Sequence, residues 1–369
     1  MAEINFGAKY ADKIGQHYFT TSKIADALLD SNYITFDGVN SVTVVTPNTA
    51  PIVDYTRSGL HRYGTPEELG DTAQTFQLGY DKAFTGTFDK GNQQDSGAFE
   101  KSAANFLKRQ QDEVITPFVD AVSLWRIAQQ AGAGKFSSTA LTKDNFLDAL
   151  NDAQVHMYNT TRKDDGVTVL MGASAYGMLR NSPEYIRYEN LGEDARKKGN
   201  VGEVFGMNVK KVPDFYLPTG IDFMCIEKSA AFACLRLNDA KAHQDPPGIN
   251  GALMEGRFRF DAFVKAEKAN GIYIYGNANN QLTKPVLSKS SGNVQISSAG
   301  TGSHCMYTVD GSDPRYSVSA KTYSGAFAAD AGTLVRAVCM PDFIKNKTPD
   351  QYTSETMPKY PSEVAELTA

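Results

Sequence analysis

The strongest periodic pattern in the chain is helical and covers residues 97–131. Apolar side chains recur there every three to four positions, with a slip near Gln110–Gln111, and Gly132 follows the predicted end. At 1.5 Å per residue such a helix is about 50 Å long. Pro117 is expected to bend it, because proline removes one backbone donor.

Shorter patterns predict further elements. Alternating β-branched residues predict a strand over residues 41–46, and evenly spaced aromatic residues predict another over residues 75–89. Thr142 is the predicted cap of a second helix, which a buried strand and two short helices follow. The second helix is expected at residues 143–158, the strand at 167–171, and the two short helices at 173–180 and 182–188. Several β-rich runs lie between residues 204 and 275.

Two segments carry little that could form a core of their own. Residues 1–40 predict an extended arm, apart from a short helix at residues 22–31. Residues 54–74 are polar and rich in glycine, and a projecting β-hairpin is a better prediction than a long structureless loop. An arm, a hairpin and an over-long helix cannot bury their apolar surface within one subunit. This favours an obligate assembly, with interfaces of roughly 2,000 Å² or more.

Composition shifts near residue 277. Residues 279–284 are expected to be a linker, and residues 285–358 are rich in Ser, Thr, Gly and Val with frequent turn signals. This pattern is typical of a small β-sandwich. Residues 359–369 are expected to be a C-terminal tail.

Composition and charge exclude several classes of protein. The 369 residues are 41% hydrophobic and carry a net charge of -5, which argues against a dedicated nucleic-acid binder. We expect no secretory signal, and no stretch approaches the roughly 18 apolar residues of a membrane span. The four cysteines are therefore expected to be reduced, buried thiols.

Candidate chemistry is sparse. Residues 131–136 (AGAGKF) only superficially resemble a phosphate loop, since Gln129 and Phe136 occupy two of its required positions. Asp152 and His156 are spaced i,i+4 and could share a metal, but an exposed polar helix face is the better interpretation. We expect no catalytic residue, metal or cofactor, although a catalytic site need not have a local motif.

Several segments follow one another in a specific order: DYTRSG (54–59), RYGTPEELGD (62–71), FDKGN (88–92), the long helix, VGEVFGMNVKKVPDFYLP (201–218), DPPGINGALMEGRFRFDAFV (245–264) and KANGIYIY (268–275). This order resembles the major capsid proteins of tailed bacteriophages, whose fold is the Hong Kong 97 type. The resemblance covers about residues 1–278.

The resemblance implies an α+β fold with named parts. Residues 1–40 would be the N-arm, 52–90 the extended loop and 97–132 the spine helix. Residues 166–256 would be the axial domain, and 40–52, 133–165 and 257–275 the peripheral domain.

The resemblance also implies a function. The chain would be a non-enzymatic shell subunit that forms pentamers and hexamers around double-stranded DNA, without sequence-specific DNA binding or contact with a membrane. It would need portal and scaffolding proteins and would assemble in the host cytoplasm into the virion. Inter-subunit contact candidates on the loop are Arg57, Arg62, Tyr63, Glu67 and Glu68; solvated side chains are the alternative for the charged ones.

The C-terminal part resembles a second family. YTVDGSDP (307–314) and AGTLVRAV (331–338) are similar to the immunoglobulin- or fibronectin-like module of chitobiase type that accompanies carbohydrate-processing enzymes. On a shell it would be displayed outside. Tyr307, Tyr316 and Tyr323 could stack on a sugar and give a weak glycan contact, or pack inside the sandwich.

Other functions remain open at this point. A non-viral encapsulating shell protein would have the same fold. A carbohydrate-binding or adhesion function would reside in the C-terminal module. An enzyme would need a catalytic site that the sequence does not identify.

Overall fold

The computed structural model describes residues 22–28, 35–37, 41–47, 49–50, 52–59, 61–66, 68–90, 103–162, 166–182, 202–218, 220–290, 292–297, 303–317, 319–341 and 360–369. The chain divides into two compact units. One is Asp30–Gly79, and the other comprises Met1–Leu29 together with Tyr80–Ala369.

The smaller unit contains a three-stranded antiparallel sheet in the order β1-β2-β3. Its strands are β1 (Thr35–Asp37), β2 (Ser41–Pro47) and β3 (Asp71–Gln77). The predicted strand at 41–46 is therefore confirmed. The predicted hairpin exists as the β2–β3 pair, but the described residues between 49 and 70 form its connection and contain no strand.

The predicted strand at residues 75–89 is two strands. β3 ends at Gln77, and β4 (Tyr80–Asp89) belongs to the larger unit, where it pairs with β11 (Gly251–Val264). The other neighbour of β11 is β10 (Ala231–Gln244). Gly79 lies at the break, and glycine has low strand preference. Even aromatic spacing predicts extended backbone but does not identify the strand's partner.

The long helix consists of three parts: α1 (Ala103–Arg109), a π-helical segment (Gln110–Ile115) and α2 (Thr116–Gln129). The π segment explains the slip in the apolar repeat, because its wider turn adds residues to the 3.6-residue period. Pro117 lies in the first turn of α2, directly after the π segment. The predicted start at residue 97 lies outside the described residues.

A six-stranded sheet has the order β5-β12-β9-β6-β8-β7. Its strands are β5 (Ala133–Ser137), β6 (Val167–Gly172), β7 (Glu203–Val204), β8 (Met207–Val212), β9 (Ile221–Glu227) and β12 (Ile272–Asn277). Ile226 belongs to a core cluster that includes Leu124 and Ile127 of α2. Phe223 and Cys225 belong to a second cluster, built with α3 (Phe146–Thr161) and α4 (Ala173–Arg180).

Both predicted helices on this sheet are confirmed, but the cap of α3 is not Thr142. The helix begins at Phe146, and the side chain of Asn145 accepts hydrogen bonds from the backbone N–H and hydroxyl of Thr142. The predicted helix at 182–188 falls almost entirely outside the described residues.

The proposed axial domain, residues 166–256, does not coincide with a sheet. The six-stranded sheet includes β5 and β12 from the predicted peripheral segments, whereas β10 and the first part of β11 belong to a different sheet, in which β11 lies between β10 and β4. Linear boundaries cannot describe sheets whose strands come from distant parts of the chain.

The C-terminal module (Leu287–Ala369) contains two antiparallel sheets, which confirms the predicted β-sandwich. One has the order β13-β14-β17 and the other β16-β15-β18-β19. The strands are β13 (Leu287–Ser290), β14 (Asn293–Ile296), β15 (Ser303–Thr308), β16 (Lys321–Thr322), β17 (Phe327–Ala328), β18 (Leu334–Pro341) and β19 (Ala365–Thr368).

Two expectations about this module are wrong. Residues 365–368 are not a tail, because β19 pairs with β18 at the edge of the second sheet. Cys305 and Cys339 are not free thiols: they face each other on β15 and β18 and form a disulfide. Cys225 and Cys234 are free and buried, as expected.

Candidate inter-subunit surfaces

The connection between β2 and β3 carries apolar side chains that face solvent. Ile52 is fully exposed and Tyr63 is 85% exposed, and Val53, Tyr55 and Leu69 are each more than half exposed. Burial of such side chains is favourable by about 1.5–3 kcal/mol each. A cluster of this kind is typical of a surface that another chain covers.

The backbone of this connection has a defined shape. The N–H of Thr56 donates to the carbonyl oxygen of Arg62 at 3.1 Å, which closes the tip. Gly59 has a φ of 95° and Gly64 a φ of 88°, a region that glycine adopts without strain. A Cβ on Gly64 would lie 2.7 Å from a methyl carbon of Val53, so a side chain there would displace Val53 on the other side of the loop.

Four of the five predicted contact residues are described and lie on this connection, and Glu67 lies outside the described residues. Arg57 and Glu68 are exposed and have no partner among the described residues. Arg62 is exposed, and its Nε reaches the Gly59 carbonyl oxygen only at 3.5 Å. Tyr63 packs edge-on against Tyr55, with ring centroids 5.1 Å apart.

The apolar members of the surface are not among the contact residues predicted from the sequence. They are Ile52, Val53, Tyr55 and Leu69. Their signal was available: they are apolar residues in a segment too polar to form a core.

A second charged surface lies on β4 and β11. Asp81 accepts hydrogen bonds from the guanidinium groups of Arg257, at 2.8 Å, and of Arg259, at 2.6 Å. Hydrogen bonds from Arg257 and then Arg259 hold the pKa of the Asp81 carboxyl well below its usual range. The cluster joins β4 to β11 by charge as well as by backbone pairing.

The weak metal and phosphate candidates have structural explanations. Asp152 pairs with Lys135 at 2.8 Å, whereas His156 contacts the Asn270 carbonyl oxygen, so the two do not form a shared site. No group of three His, Cys, Asp or Glu side chains in the described parts of the chain could hold a metal ion.

The glycines of AGAGKF serve close backbone packing. A Cβ on Gly132 would lie 2.4 Å from the carbonyl carbon of Ala269, and one on Gly134 would lie 2.6 Å from the side chain of Ile274. The N–H of Gly132 donates to the Ala269 carbonyl oxygen at 2.9 Å. These residues therefore position β5 beside β12.

The three tyrosines considered for a sugar contact pack within the protein. Tyr307 stacks on Phe327 with ring centroids 3.9 Å apart, and Tyr323 meets both rings edge-on in the module's core. The hydroxyl of Tyr316 donates to the carbonyl oxygen of Gln130 in the long helix's last turn. Tyr307 and Tyr323 therefore pack against the core of the sandwich, as the alternative predicts, whereas Tyr316 packs outside it against the end of the long helix, and all three stay partly exposed.

Comparisons with known proteins agree with this architecture. The capsid structure of cyanophage P-SCSP1u matches with a TM-score of 0.53 and 13% identity, over 66% of this chain and 85% of that chain. A structure from Mycobacterium phage Che8 matches with a TM-score of 0.51 and 15% identity, over 64% and 84%. The mature capsid of bacteriophage PhiM1 matches with a TM-score of 0.50 and 11% identity, over 66% and 83%.

Residues 294–355 match the family model described as Fn3 associated. No curated protein sequence matches the chain significantly. Among the described helices, none is long and apolar enough to cross a membrane. The chain therefore has the Hong Kong 97-type fold of phage capsid proteins, followed by an immunoglobulin-like β module similar to the Fn3-associated family.

Proposed function

We propose that the chain is the structural subunit of a phage capsid, which self-assembles into the pentamers and hexamers of an icosahedral shell. The observation that carries the proposal is the fold match to the P-SCSP1u capsid chain over 85% of that chain's length. The role needs no catalytic step, cofactor or metal.

The tip of the β2–β3 connection supports the proposal by its chemistry. Ile52 and Tyr63 supply apolar area, and Arg57, Arg62 and Glu68 supply charges that have no ion-pair partner among the described residues. We assign these residues, with Glu67, to contacts with neighbouring subunits. Apolar centres surrounded by charges are typical of specific protein interfaces.

The proposed shell encloses double-stranded DNA without binding it through the net charge of its subunits. The chain's net charge of -5 gives no general attraction to phosphates. Assembly in the host cytoplasm with separate scaffolding and portal proteins, and a final location in the virion, complete the proposal.

Sedimentation of the purified full-length chain, followed by negative-stain electron microscopy, tests the proposal. We expect closed shells, rings of five or six subunits or curved sheets, alone or with a co-expressed scaffolding protein. A stable monomer under both conditions would overturn it. Nuclease treatment of particles from infected cells tests the enclosure of DNA, since enclosed DNA survives and DNA on the outer surface does not.

A further inference from the structure

The chain enters and leaves the C-terminal module at the same place. Gln281 and Tyr360 form a parallel bridge. The N–H of Tyr360 donates to the Asn280 carbonyl oxygen at 2.7 Å, and the N–H of Leu282 donates to the Tyr360 carbonyl oxygen at 2.9 Å. Residues 280–282 of the predicted linker, residues 279–284, are thus paired with the returning chain, so the linker is not a single flexible tether.

A second attachment lies at the end of α2. Nη1 of Arg315 donates to the Ala131 carbonyl oxygen at 3.0 Å, and the hydroxyl of Tyr316 donates to the backbone carbonyl oxygen of Gln130. The last carbonyls of a helix lack intrahelical donors and carry partial negative charge, so a guanidinium and a hydroxyl are suitable partners. Asp313 holds the guanidinium in place at 2.7 Å.

Tyr360 connects the module to the core beneath the six-stranded sheet. Its side chain is fully buried in the cluster that contains Leu124 and Ile274, and its ring lies 5.3 Å from that of Phe136 on β5. Its hydroxyl is buried without a hydrogen-bond partner among the described residues. The ring, and not the hydroxyl, therefore makes the useful contact.

We infer that the C-terminal module is clamped rigidly to the capsid-fold part of its own subunit, through the paired crossing at Gln281–Tyr360 and the contacts of Arg315 and Tyr316 with the end of α2. Two attachments at separate points remove the rotational freedom that one flexible linker would leave. If the chain is a shell subunit, as proposed above, the module follows the symmetry of the shell. Every copy of the module is then displayed at the same angle to its subunit.

Pulsed electron paramagnetic resonance on soluble full-length subunits tests the clamp independently of assembly. Spin labels at Ser288→Cys and Asp148→Cys, both at exposed positions, report the distance between module and α3. We expect one narrow distance distribution. Arg315→Ala with Tyr316→Phe should broaden it, whereas the matched pair Arg336→Ala with Tyr323→Phe, elsewhere in the module, should leave it narrow. A broad distribution in the parent chain, or no broadening in the first variant, would overturn the inference.

Tyr360 supplies a second variant pair. Tyr360→Phe should keep the narrow distribution, because it removes only an unpartnered hydroxyl, and Tyr360→Ala should broaden it. Should Tyr360→Ala fail to fold, the Arg315 and Tyr316 variant still decides the question. Equal broadening by the Phe and Ala variants would contradict the role given to the ring.

Electron cryomicroscopy of shells tests the symmetric display. We expect module density as strong as that of the six-stranded sheet, and its loss in the Arg315 and Tyr316 variant with the rest of the shell unchanged. Weak module density in parent shells would contradict the fixed display. Failure to form shells would count against the proposed function only, since the spectroscopic result on subunits stands by itself.

Discussion

The hydroxyl of Ser22 donates a hydrogen bond to the Asp120 carboxylate at 2.6 Å, although 98 residues separate them in sequence. The backbone N–H of Lys23 donates to the other carboxylate oxygen at 2.9 Å. Asp120 lies on α2 and is fully buried. The carboxylate thereby fixes the start of the short 3-10 turn Ala25–Ala27, and places Ile24 and Leu28 in the core beside α2.

Ser22→Ala should destabilise the subunit. The substitution removes one donor from a buried carboxylate, and such a loss costs about 1–3 kcal/mol. Urea unfolding measures the change. Ser288→Ala, at an exposed position on β13, is the matched control and should stay within about 0.5 kcal/mol of the parent chain. Equal values for the two variants would show that the contact with Asp120 contributes nothing to stability.

Gly132→Ala should also destabilise the subunit, by about 1–3 kcal/mol, because its Cβ would overlap the backbone of Ala269. Gly177→Ala is the control. Gly177 lies in α4 with no atom within 4 Å of a new Cβ, and alanine is the better helix former by about 0.5–1 kcal/mol. The two substitutions should therefore have opposite signs in the same unfolding measurement. A stabilised Gly132→Ala variant would contradict the packing role given to this glycine.

Patterns in the sequence predict the elements of this protein better than their partners. The apolar repeat predicts a helix over residues 97–131, and the described part, residues 103–129, is helical with its irregularity where the repeat slips, because a π turn shifts the spacing of apolar residues. The strand over 75–89 was predicted as extended but not as divided. Its first part pairs with β2 and its second with β11, and no local pattern encodes the distant strand that completes a pair.

The candidate surface was predicted in part for a similar reason. Arg57 and Glu68 are predicted as contact residues because charges in a polar segment are exposed and can form ion pairs with a neighbouring subunit. The exposure of Ile52 depends on the absence of covering side chains, which only the fold reveals. No local pattern predicts the attachment of the module, because Arg315 and its partner Ala131 are 184 residues apart and Tyr360 lies in what the sequence predicts to be a tail.

The pH dependence of stability should include a contribution from Asp310. Hydrogen bonds from the Ser312 hydroxyl, then from Ser319 and the Ser312 backbone, lower the pKa of its carboxyl from 3.8 to about 2. Because the folded-state pKa lies below the ordinary value, the charged form stabilises the module above about pH 4, and this contribution disappears as the pH falls towards about 2. The difference in melting temperature between the parent chain and Asp310→Asn should therefore be largest near neutral pH and shrink across that range. A difference that is constant with pH would contradict the assignment.

Reduction of the disulfide should weaken the module. Cys305 and Cys339 are 34 residues apart, and closing a loop of that size stabilises a fold by about 3–4 kcal/mol in the chain-entropy model. Dithiothreitol should lower the melting temperature of the parent chain and leave that of the Cys305→Ala, Cys339→Ala variant unchanged. The two remaining cysteines should not exchange with the disulfide or the reductant, because exchange needs a thiolate. Burial raises the pKa of Cys234 to about 12 and also raises that of Cys225, so both thiols stay protonated. An equal response of both proteins to the reductant would contradict a stabilising disulfide.

Ile52→Asp should prevent shell formation without weakening the subunit. Ile52 is fully exposed, so the substitution removes no contact within the chain, and the melting temperature of the subunit should not change. In an assembled interface the new carboxylate would be buried without a partner, which costs several kcal/mol at each copy of the contact. Val286→Asp, at an exposed apolar position outside the loop, is the control and should assemble normally. Sedimentation separates shells from subunits in both variants. Shells of Ile52→Asp at the parent yield, or loss of shells in Val286→Asp as well, would remove the loop tip from the set of inter-subunit contacts.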